Sequence, residues 1–450
     1  MAIPQAGVGR TRITPFWGVE LTGWGYYLGR TWRTIQDHLN ATAIVIENGE
    51  TSLAIVSLDL MVISAEFTAQ VRRQIAESTA IPFHNILVTC THTHNAPASG
   101  GLLGVGEVNA LYEQWAAKQA ATAVIQAWRS RKPAELSVHT SNVGTLTYNR
   151  TRTDGPIDPT LTSLWITDRD ASPIAVVIGF QGHPTVSTIL QPWAISRDVP
   201  GQICDHIETE FVGCKAIYLQ GPCGDVNFHR RFSQPTQAAE PSRILARLVA
   251  DGFAQREPLD GRLLFARAIT IGLPTRRWTK LEIDQDRIEA QHRLEHRDIA
   301  GWRESIGRVM TNRPDDMIAR HGGDEWKAVE AMCRFNIEWT DRILLDFDSR
   351  PQTLETEIQA MRIGDFGILC NASEFFTSLA MRIRRNVPLP HLAFACYSNG
   401  RIGYLPDQHD IERKTYAAYQ SPKYCNQHPF IERSGEVMVR EMTDLIKQSG

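Results

Sequence analysis

The sequence predicts an α/β or α+β layered single domain with a helical insertion. Hydrophobic runs typical of β-strands alternate with segments of helical spacing along most of the chain. Residues 278–347 are instead dense in Arg, Glu, Asp and His, keep helical apolar spacing and lack strand-like runs. We find no internal repeat and no Pro/Gly/Ser-rich linker that would divide the chain. We therefore expect one domain over residues 1–450 that includes a helical insertion at about 278–347.

The first half of the chain predicts two β-hairpins and a regular alternation of strands and helices. Residues 41–60 hold two β-rich runs around an Asn48-Gly49 turn, and residues 162–182 hold two more around residues 168–172. Further strands are predicted at 86–90, 135–147, 216–220 and 262–271, and helices at 64–78, 107–128, 199–211 and 239–255. After the insertion we predict strands over 353–371 with a turn at Gly364-Asp365, and helices at about 375–386 and 434–448.

Composition excludes several classes of protein. The chain has 450 residues, a formal charge of −3, 42% apolar residues and 22% charged residues, which argues against a disordered, collagen-like or coiled-coil protein. The near-neutral charge gives no electrostatic signature of nucleic-acid binding. No apolar stretch reaches the ~18–20 residues of a membrane span, so we expect no membrane partner.

The eight cysteines show no C-x-x-C spacing, and the first ten residues do not place an apolar run after a basic one. We therefore expect reduced thiols and a cytoplasmic protein. The oligomeric state, monomer or homo-oligomer, stays open.

Histidines follow the strand predicted at 86–90. In an extended backbone, residues two apart point to the same side, so His92 and His94 of Thr91-His92-Thr93-His94 are expected to face one volume at the carboxyl end of the strand. One imidazole binding metal while the other contacts substrate, or both binding metal, would fit this pattern. Two histidines on a polar strand end would fit it as well.

Other strand ends supply further metal-ligating side chains. His183 follows a hydrophobic strand, Glu374 stands where a strand gives way to a helix, and residues 221–227 form a loop containing a Gly224-Asp225 pair. Each has an ordinary structural explanation: a core histidine, a first-turn glutamate favoured by the helix dipole, and a simple turn. Together the histidines and the glutamate are enough for a catalytic zinc with three protein ligands and an open position.

The chain resembles the neutral ceramidase family, zinc-dependent amidases that cleave the N-acyl bond of ceramide. The matching motifs occur in the family's order: Ile13-Thr14-Pro15, Thr-His-Thr-His-x-x-Pro at 91–97, Tyr148-Asn149-Arg150, Gly182-His183-Pro184-Thr185, residues 196–201, Gly224-Asp225-Val226, Glu374, and Gly403-Tyr404-Leu405 with Tyr416 twelve residues later. The resemblance implies that zinc is held by His92, His183, Glu374 and Tyr404. It further implies that His94 transfers protons or binds the oxyanion, that Arg150 lies near the substrate carbonyl, and that Tyr416 is a second active-site tyrosine.

Two departures indicate a divergent, bacterial-type member. The family reads Gly-Asp-Val-Ser-Pro-Asn where this chain has Asn227 in place of the catalytic-site serine, so an acyl-enzyme at this position is excluded. Asn227 would then orient the substrate or stabilise an oxyanion. The immunoglobulin-like domain that follows the catalytic domain in ceramidases is not expected here, and ceramide is not the expected substrate.

These observations predict a zinc-dependent hydrolase that cleaves a C–N amide-type bond of a small soluble molecule by direct attack of zinc-bound water. An esterase or lactonase using the same site, or a catalytically retired metal- or ligand-binding protein, are the alternatives. The helical insertion would cap the pocket and select a small polar or anionic substrate, or would be a solvated face with a few buried tryptophans. The residues behind this expectation are Arg276, Arg277, Trp278, Trp302, Arg303, Arg308 and Trp326.

Overall fold

Three β-sheets surround one central core in the computed structural model, which describes residues 4–309 and 314–449. The first sheet contains, in spatial order, Ile86–Cys90, Ser52–Leu58, Asn40–Glu47, Gln5–Arg12 and Lys132–Pro133. The second contains Lys215–Gln220, Pro173–Phe180, Thr160–Thr167, Glu135–Asn142 and Glu257–Pro258. The third contains Leu264–Pro274, Thr353–Ile363, Phe366–Asn371 and His391–Ala395.

The central core lies between the inner faces of these sheets. Alternate residues of a strand point to opposite faces, so Ile44 of the first sheet meets Leu164 of the second and Ile368 of the third in one buried cluster. The neighbouring residues, such as Val45, point outward and are buried beneath helices. The strands are therefore apolar on both faces, which explains their nearly continuous hydrophobic runs.

Helices cover the outer faces. The first sheet is covered by Ala65–Ala76 and Ala110–Arg129, and the second by Asp198–Glu210 and Glu240–Ala254. Thr377–Asn386 and Glu432–Lys447 pack on the third. Gly9 shows why the covering helix can come so close, because a Cβ added there would lie 2.1 Å from the carbonyl oxygen of Ala123.

The predicted segment at 278–347 consists of helices in the part that the structure describes. They are Lys280–His296, Ile299–Val309, Pro314–Arg320 and Glu325–Leu344. Thr279 and Glu282 form a capping box at the first, and the Asp324 side chain caps the last. Trp278 and Trp302 are fully buried, whereas the side chain of Arg308 lies outside the described residues.

The structure confirms the predicted fold class and both hairpins. The strand predicted over 135–147 ends at Asn142, because the chain turns at Gly144 (φ 70°) and resumes as the short strand Thr147–Asn149 beside Val226–Phe228. The helix predicted at 375 begins at Thr377, because Glu374–Phe375 pairs as a strand with Tyr404–Leu405. The strand His391–Ala395 was not predicted.

Two further elements are short strands, Thr34–Ile35 and Ala194–Ile195, which pair with each other. Short helical segments complete the fold: Phe83–Asn85, Val186–Leu190, Arg230–Ser233, Gln408–Glu412, Tyr416–Gln420 and Ser421–Tyr424. Among the described helices, none combines the length and apolar character needed to cross a membrane.

Candidate metal centre and active site

Three histidines meet where strands of the first and second sheets end. His92 and His94 follow Ile86–Cys90, and His183 follows Pro173–Phe180. The Nε2 atom of His94 lies 3.3 Å from that of His92 and 3.0 Å from that of His183. His92 and His183 are fully buried. These rings form a compact cluster of potential metal ligands.

Hydrogen bonds on the far side of each ring fix its tautomer. Each Nδ1 donates to a backbone carbonyl: His92 to Met61 at 2.8 Å, His94 to Gly23 at 3.1 Å, and His183 to Cys223 at 3.1 Å. The three Nε2 atoms therefore direct lone pairs at one another. Such an arrangement is repulsive unless a cation lies among them, and neutral imidazoles fixed in this way are what metal sites use.

Electrostatics keep two of the rings neutral. Burial lowers the pKa of His94 well below its ordinary value, and His92, Arg150 and Arg30 lower it further. Burial also lowers the pKa of His183, with Arg150 and the other two histidines adding to the shift. Neutral histidines can bind a divalent cation, so the residues present fit one.

The prediction that an extended backbone points His92 and His94 to the same side is wrong. The prediction assumed an extended chain, but His92 lies in the left-handed region with φ 64° and belongs to no strand. The two rings still converge because a sharp turn follows the strand. A non-glycine residue held in this region is uncommon and clusters at functional sites.

Glu374 and Tyr404 lie side by side next to the histidines. They face each other in the parallel pairing of Glu374–Phe375 with Tyr404–Leu405. Glu374 Oε2 is 3.4 Å from His92 Nε2, is buried, and has no hydrogen-bond partner within residues 4–309 and 314–449. A buried carboxylate oxygen without a donor is costly, which indicates that a cation or ligand belongs beside it.

Arg150 connects Tyr404 to the loop at 221–229. Its Nη2 donates to the Tyr404 hydroxyl and to the Gly224 carbonyl, each at 2.8 Å, and its Nη1 lies 3.4 Å from Asn227 Oδ1. Burial opposes the charge of Arg150, but Tyr404 and Glu374 outweigh it and raise the pKa. Arg150 is therefore a fixed cation beside the histidine cluster.

The Gly224-Asp225 pair is a structural junction rather than a simple turn. Asp225 is buried and accepts hydrogen bonds from Asn149 Nδ2 and from both the backbone N–H and the hydroxyl of Thr377, all at 2.8 Å. The Arg150 backbone N–H donates to the Asp225 carbonyl at 2.8 Å. Asp225 thereby joins the strand that carries Arg150 to the helix that follows Glu374.

Tyr416 completes the group of predicted residues. Its ring centre is 5.6 Å from that of Tyr404 and 6.2 Å from that of Tyr424. Tyr416 and Tyr424 line a cavity of about 60 Å³ together with His94, Glu374, Tyr404 and Arg401. The structure thus brings all eight predicted residues into one connected site.

Two site residues were missed by sequence reasoning. Tyr397 stacks on His92 with ring centres 3.7 Å apart, and its hydroxyl lies 3.0 Å from Cys223 Sγ. Burial raises the pKa of both groups, so this pair is neutral packing behind the histidines. Cys223 stands in the loop at 221–227 that the sequence singled out, whereas Tyr397 stands in none of the predicted motifs.

Three of the four arginines expected to cap the pocket have their side chains among the described residues, and all three point elsewhere. Arg276 pairs with Glu282, and Arg303 pairs with Asp315 and Glu325. Arg277 donates to the Asp348 carbonyl. These guanidiniums are neutralised or engaged within the helical segment, so the expectation that they select the substrate is not supported by their placement.

Two solved structures that share this fold are ceramidases. Neutral ceramidase from Pseudomonas aeruginosa matches with a TM-score of 0.73 and 18% sequence identity, over 100% of this chain and 75% of that chain. A ceramidase complexed with C2 matches with a TM-score of 0.71 and 17% identity, over 99% of this chain and 75% of that chain. Family models and curated proteins yield no match. The shared fold is the one that the sequence resemblance implied.

Proposed function

We propose that this chain is a zinc-dependent hydrolase that cleaves a C–N amide-type bond of a small soluble substrate by direct attack of water. The observation that carries the proposal is the meeting of three Nε2 lone pairs beside an unpartnered Glu374 carboxylate oxygen and the Arg150 guanidinium. The ceramidase fold supports the same reaction class, although a fold by itself does not fix a function.

In this proposal, His92, His183, Glu374 and Tyr404 hold the metal. Two imidazoles with oxygen ligands form a donor set suited to zinc. When bound, zinc supplies Lewis acidity, which polarises a carbonyl group and lowers the pKa of water. Tyr404 is kept next to Glu374 by strand pairing, and its hydroxyl accepts a hydrogen bond from Arg150.

His94 acts as the general base and then as the general acid. Its Nδ1 is committed to the Gly23 carbonyl and its pKa is low, so Nε2 is free to accept a proton from water. The same nitrogen then protonates the leaving amine. Because the ring is fixed against the Gly23 carbonyl, the proton moves over a short and defined path.

Arg150 and Tyr416 stabilise the oxyanion, and Asn227 orients the substrate. The Arg150 guanidinium is already aimed at the site by Gly224 and Tyr404. Burial raises the pKa of Tyr416, so its hydroxyl remains a hydrogen-bond donor. Asn227 has an amide where the ceramidase motif has serine, and an amide is not a nucleophile.

The dimensions of the cavity support a small substrate. At about 60 Å³, the cavity is far smaller than the ~300–1,000 Å³ of common ligand pockets. The rings of Tyr416 and Tyr424 line it, so a long lipid chain would require these rings to move.

We also propose a cytoplasmic location. All eight cysteines are free thiols and seven of them are buried, which fits a reducing compartment.

A substrate panel tests the function. Short amides, lactones, simple esters and ceramide in detergent would be assayed with zinc and with a chelator. We expect chelator-sensitive cleavage of short amides that exceeds ceramide cleavage by orders of magnitude. Preferential cleavage of lactones or esters would reassign the bond type, efficient release of sphingosine would overturn the small-substrate proposal, and no cleavage would favour a retired site.

A further inference from the structure

Two arginines beside the candidate active site have no acidic partner in the part of the chain that the structure describes. The guanidinium carbon of Arg30 lies 4.3 Å from the centre of the Trp24 ring, and that of Arg320 lies 5.5 Å from the same centre. Asp316, one helical turn before Arg320, attracts it electrostatically. We call Trp24, Arg30 and Arg320 the arginine–tryptophan cluster.

Two other arginines that are almost as deeply buried as Arg30 are paired with carboxylates. Arg72 forms a two-pronged ion pair with Glu357, and Arg197 contacts both Asp37 and Asp205. Pairing is the usual condition for burying a guanidinium, because removing an uncompensated charge from water costs several kcal/mol. Against that pattern, the two unpaired cations of the cluster need a separate explanation.

Arg30 is the more deeply buried of the two. Its Nε donates to the Pro192 carbonyl and its Nη1 to the carbonyls of Thr22 and His94, but its buried Nη2 has no partner among the residues that the structure describes. Burial and the nearby Arg320 lower the pKa of Arg30 to about 9. The cluster thus carries positive charge that no carboxylate among the described residues neutralises.

The cluster adjoins the cavity of the active site. Gly23 and Gly25, on either side of Trp24, line that cavity, and the Gly23 carbonyl holds His94. Tyr416 and Tyr424, which also line the cavity, lie within the electrostatic range of Arg320. Arg320 is partly exposed, so a bound molecule can reach it, whereas Arg30 lies behind the indole.

We infer that the substrate carries a carboxylate, that Arg320 binds this carboxylate, and that Arg30 adds positive potential from behind Trp24. The inference deepens the proposed function, because it names the chemical class of the substrate: a small amide whose acyl or amine part bears a carboxylate. The planar guanidinium of Arg320 can bind both carboxylate oxygens at once. Trp24 would support the apolar part of the molecule alongside.

Calorimetric binding of a matched pair of probes tests the inference. N-benzoylglycine carries a carboxylate where N-benzoylglycinamide carries a neutral amide, and the two are otherwise alike. Both would be titrated into the zinc-loaded protein and into protein dialysed against a chelator, so that a carboxylate bound by the metal is recognised. We expect the carboxylate to bind about tenfold or more tightly than the amide in both preparations, the usual worth of one charge-assisted contact.

Three variants make the test specific. Arg320→Gln should bring the two probes to within about twofold of each other, while Arg320→Lys, which keeps the charge but cannot bind both carboxylate oxygens in the same plane, should retain only part of the preference. Arg303→Gln is the matched control, because Arg303 is paired with Asp315 and Glu325 in the same helical segment. It should bind both probes as the unchanged protein does.

Two results would overturn the inference. One is a preference for the carboxylate that survives in Arg320→Gln, and the other is the lack of any preference in the unchanged protein, including no binding of either probe. Binding is measured without turnover, so its outcome is separate from that of the substrate panel. A preference that depends on Arg320 in a protein that hydrolyses nothing would refute the proposed function and leave this inference standing.

Discussion

Replacement of His94 by alanine separates the two roles that the histidine cluster allows. In the proposed function His94 moves protons and does not hold the metal, so His94→Ala should keep about one zinc per chain. Turnover should fall by roughly 10²–10⁴-fold, which corresponds to about 3–5 kcal/mol in the barrier. His92→Ala and His183→Ala should instead lose most of the zinc.

Gly23 offers a second way to disturb His94 while leaving its imidazole in place. Gly23 has φ 101°, and a Cβ there would lie 2.6 Å from the Cβ of His94 and 2.8 Å from its Nδ1. Ordinary contacts between such atoms are near 3.5–4 Å, so Gly23→Ala should displace the ring by about 1 Å. A displacement of that size costs on the order of 10²-fold in rate.

The assay is zinc analysis of dialysed protein together with turnover of the best amide in the substrate panel. Thermal unfolding of each variant serves as the folding control. If zinc content falls in step with activity in His94→Ala, then His94 is a ligand, as the 3.0 Å and 3.3 Å separations of the Nε2 atoms would also permit. That result would refute the division of roles among the three histidines.

Three other changes have definite expected outcomes. Asn227→Ala should slow turnover without altering the kinetic pattern, and mass spectrometry should find no acylated residue at 221–229; an adduct there would contradict direct attack by water. Both carboxylate oxygens of Asp225 accept hydrogen bonds, so Asp225→Asn places an amide nitrogen opposite a donor such as Thr377. We expect this change to cost about 1–3 kcal/mol of unfolding free energy, measured by urea titration. An unchanged midpoint would show that the junction with Thr377 is dispensable. Burial raises the pKa of Asp59 from its ordinary value of 3.8 to about 7, so the folded protein holds a proton that the unfolded chain has lost. This contribution should therefore reduce stability as the pH rises from about 4 to 7, and Asp59→Asn should gain stability relative to the unchanged protein at the upper end of that range; equal curves for both proteins would contradict the shift.

The sequence by itself predicted the local structure and the main members of the site. The hairpin at 41–60 followed from β-rich runs around Asn48-Gly49, and the helix predicted at 107–128 is observed at Ala110–Arg129. These features depend on neighbours in the chain, which is why periodicity and turn chemistry identify them. Strand ends indicated His92, His94, His183 and Glu374, because side chains at the ends of strands can meet across a layered fold.

Only the tertiary structure decided how these side chains meet. No local spacing indicates the left-handed backbone of His92. The contact of Arg150 with Tyr404 and the stacking of Tyr397 on His92 join residues that are far apart in the chain, so local spacing does not indicate them either. The same holds for charge. Arg276 and Arg303, which the sequence placed over the pocket, are neutralised by nearby carboxylates. Arg30 and Arg320 instead meet at Trp24 from segments almost three hundred residues apart, without such a partner in the described chain. A charged side chain is solvated, paired or free to bind a ligand according to the groups that surround it in three dimensions. Those surroundings are set by the packing of sheets and helices rather than by the order of residues in the chain.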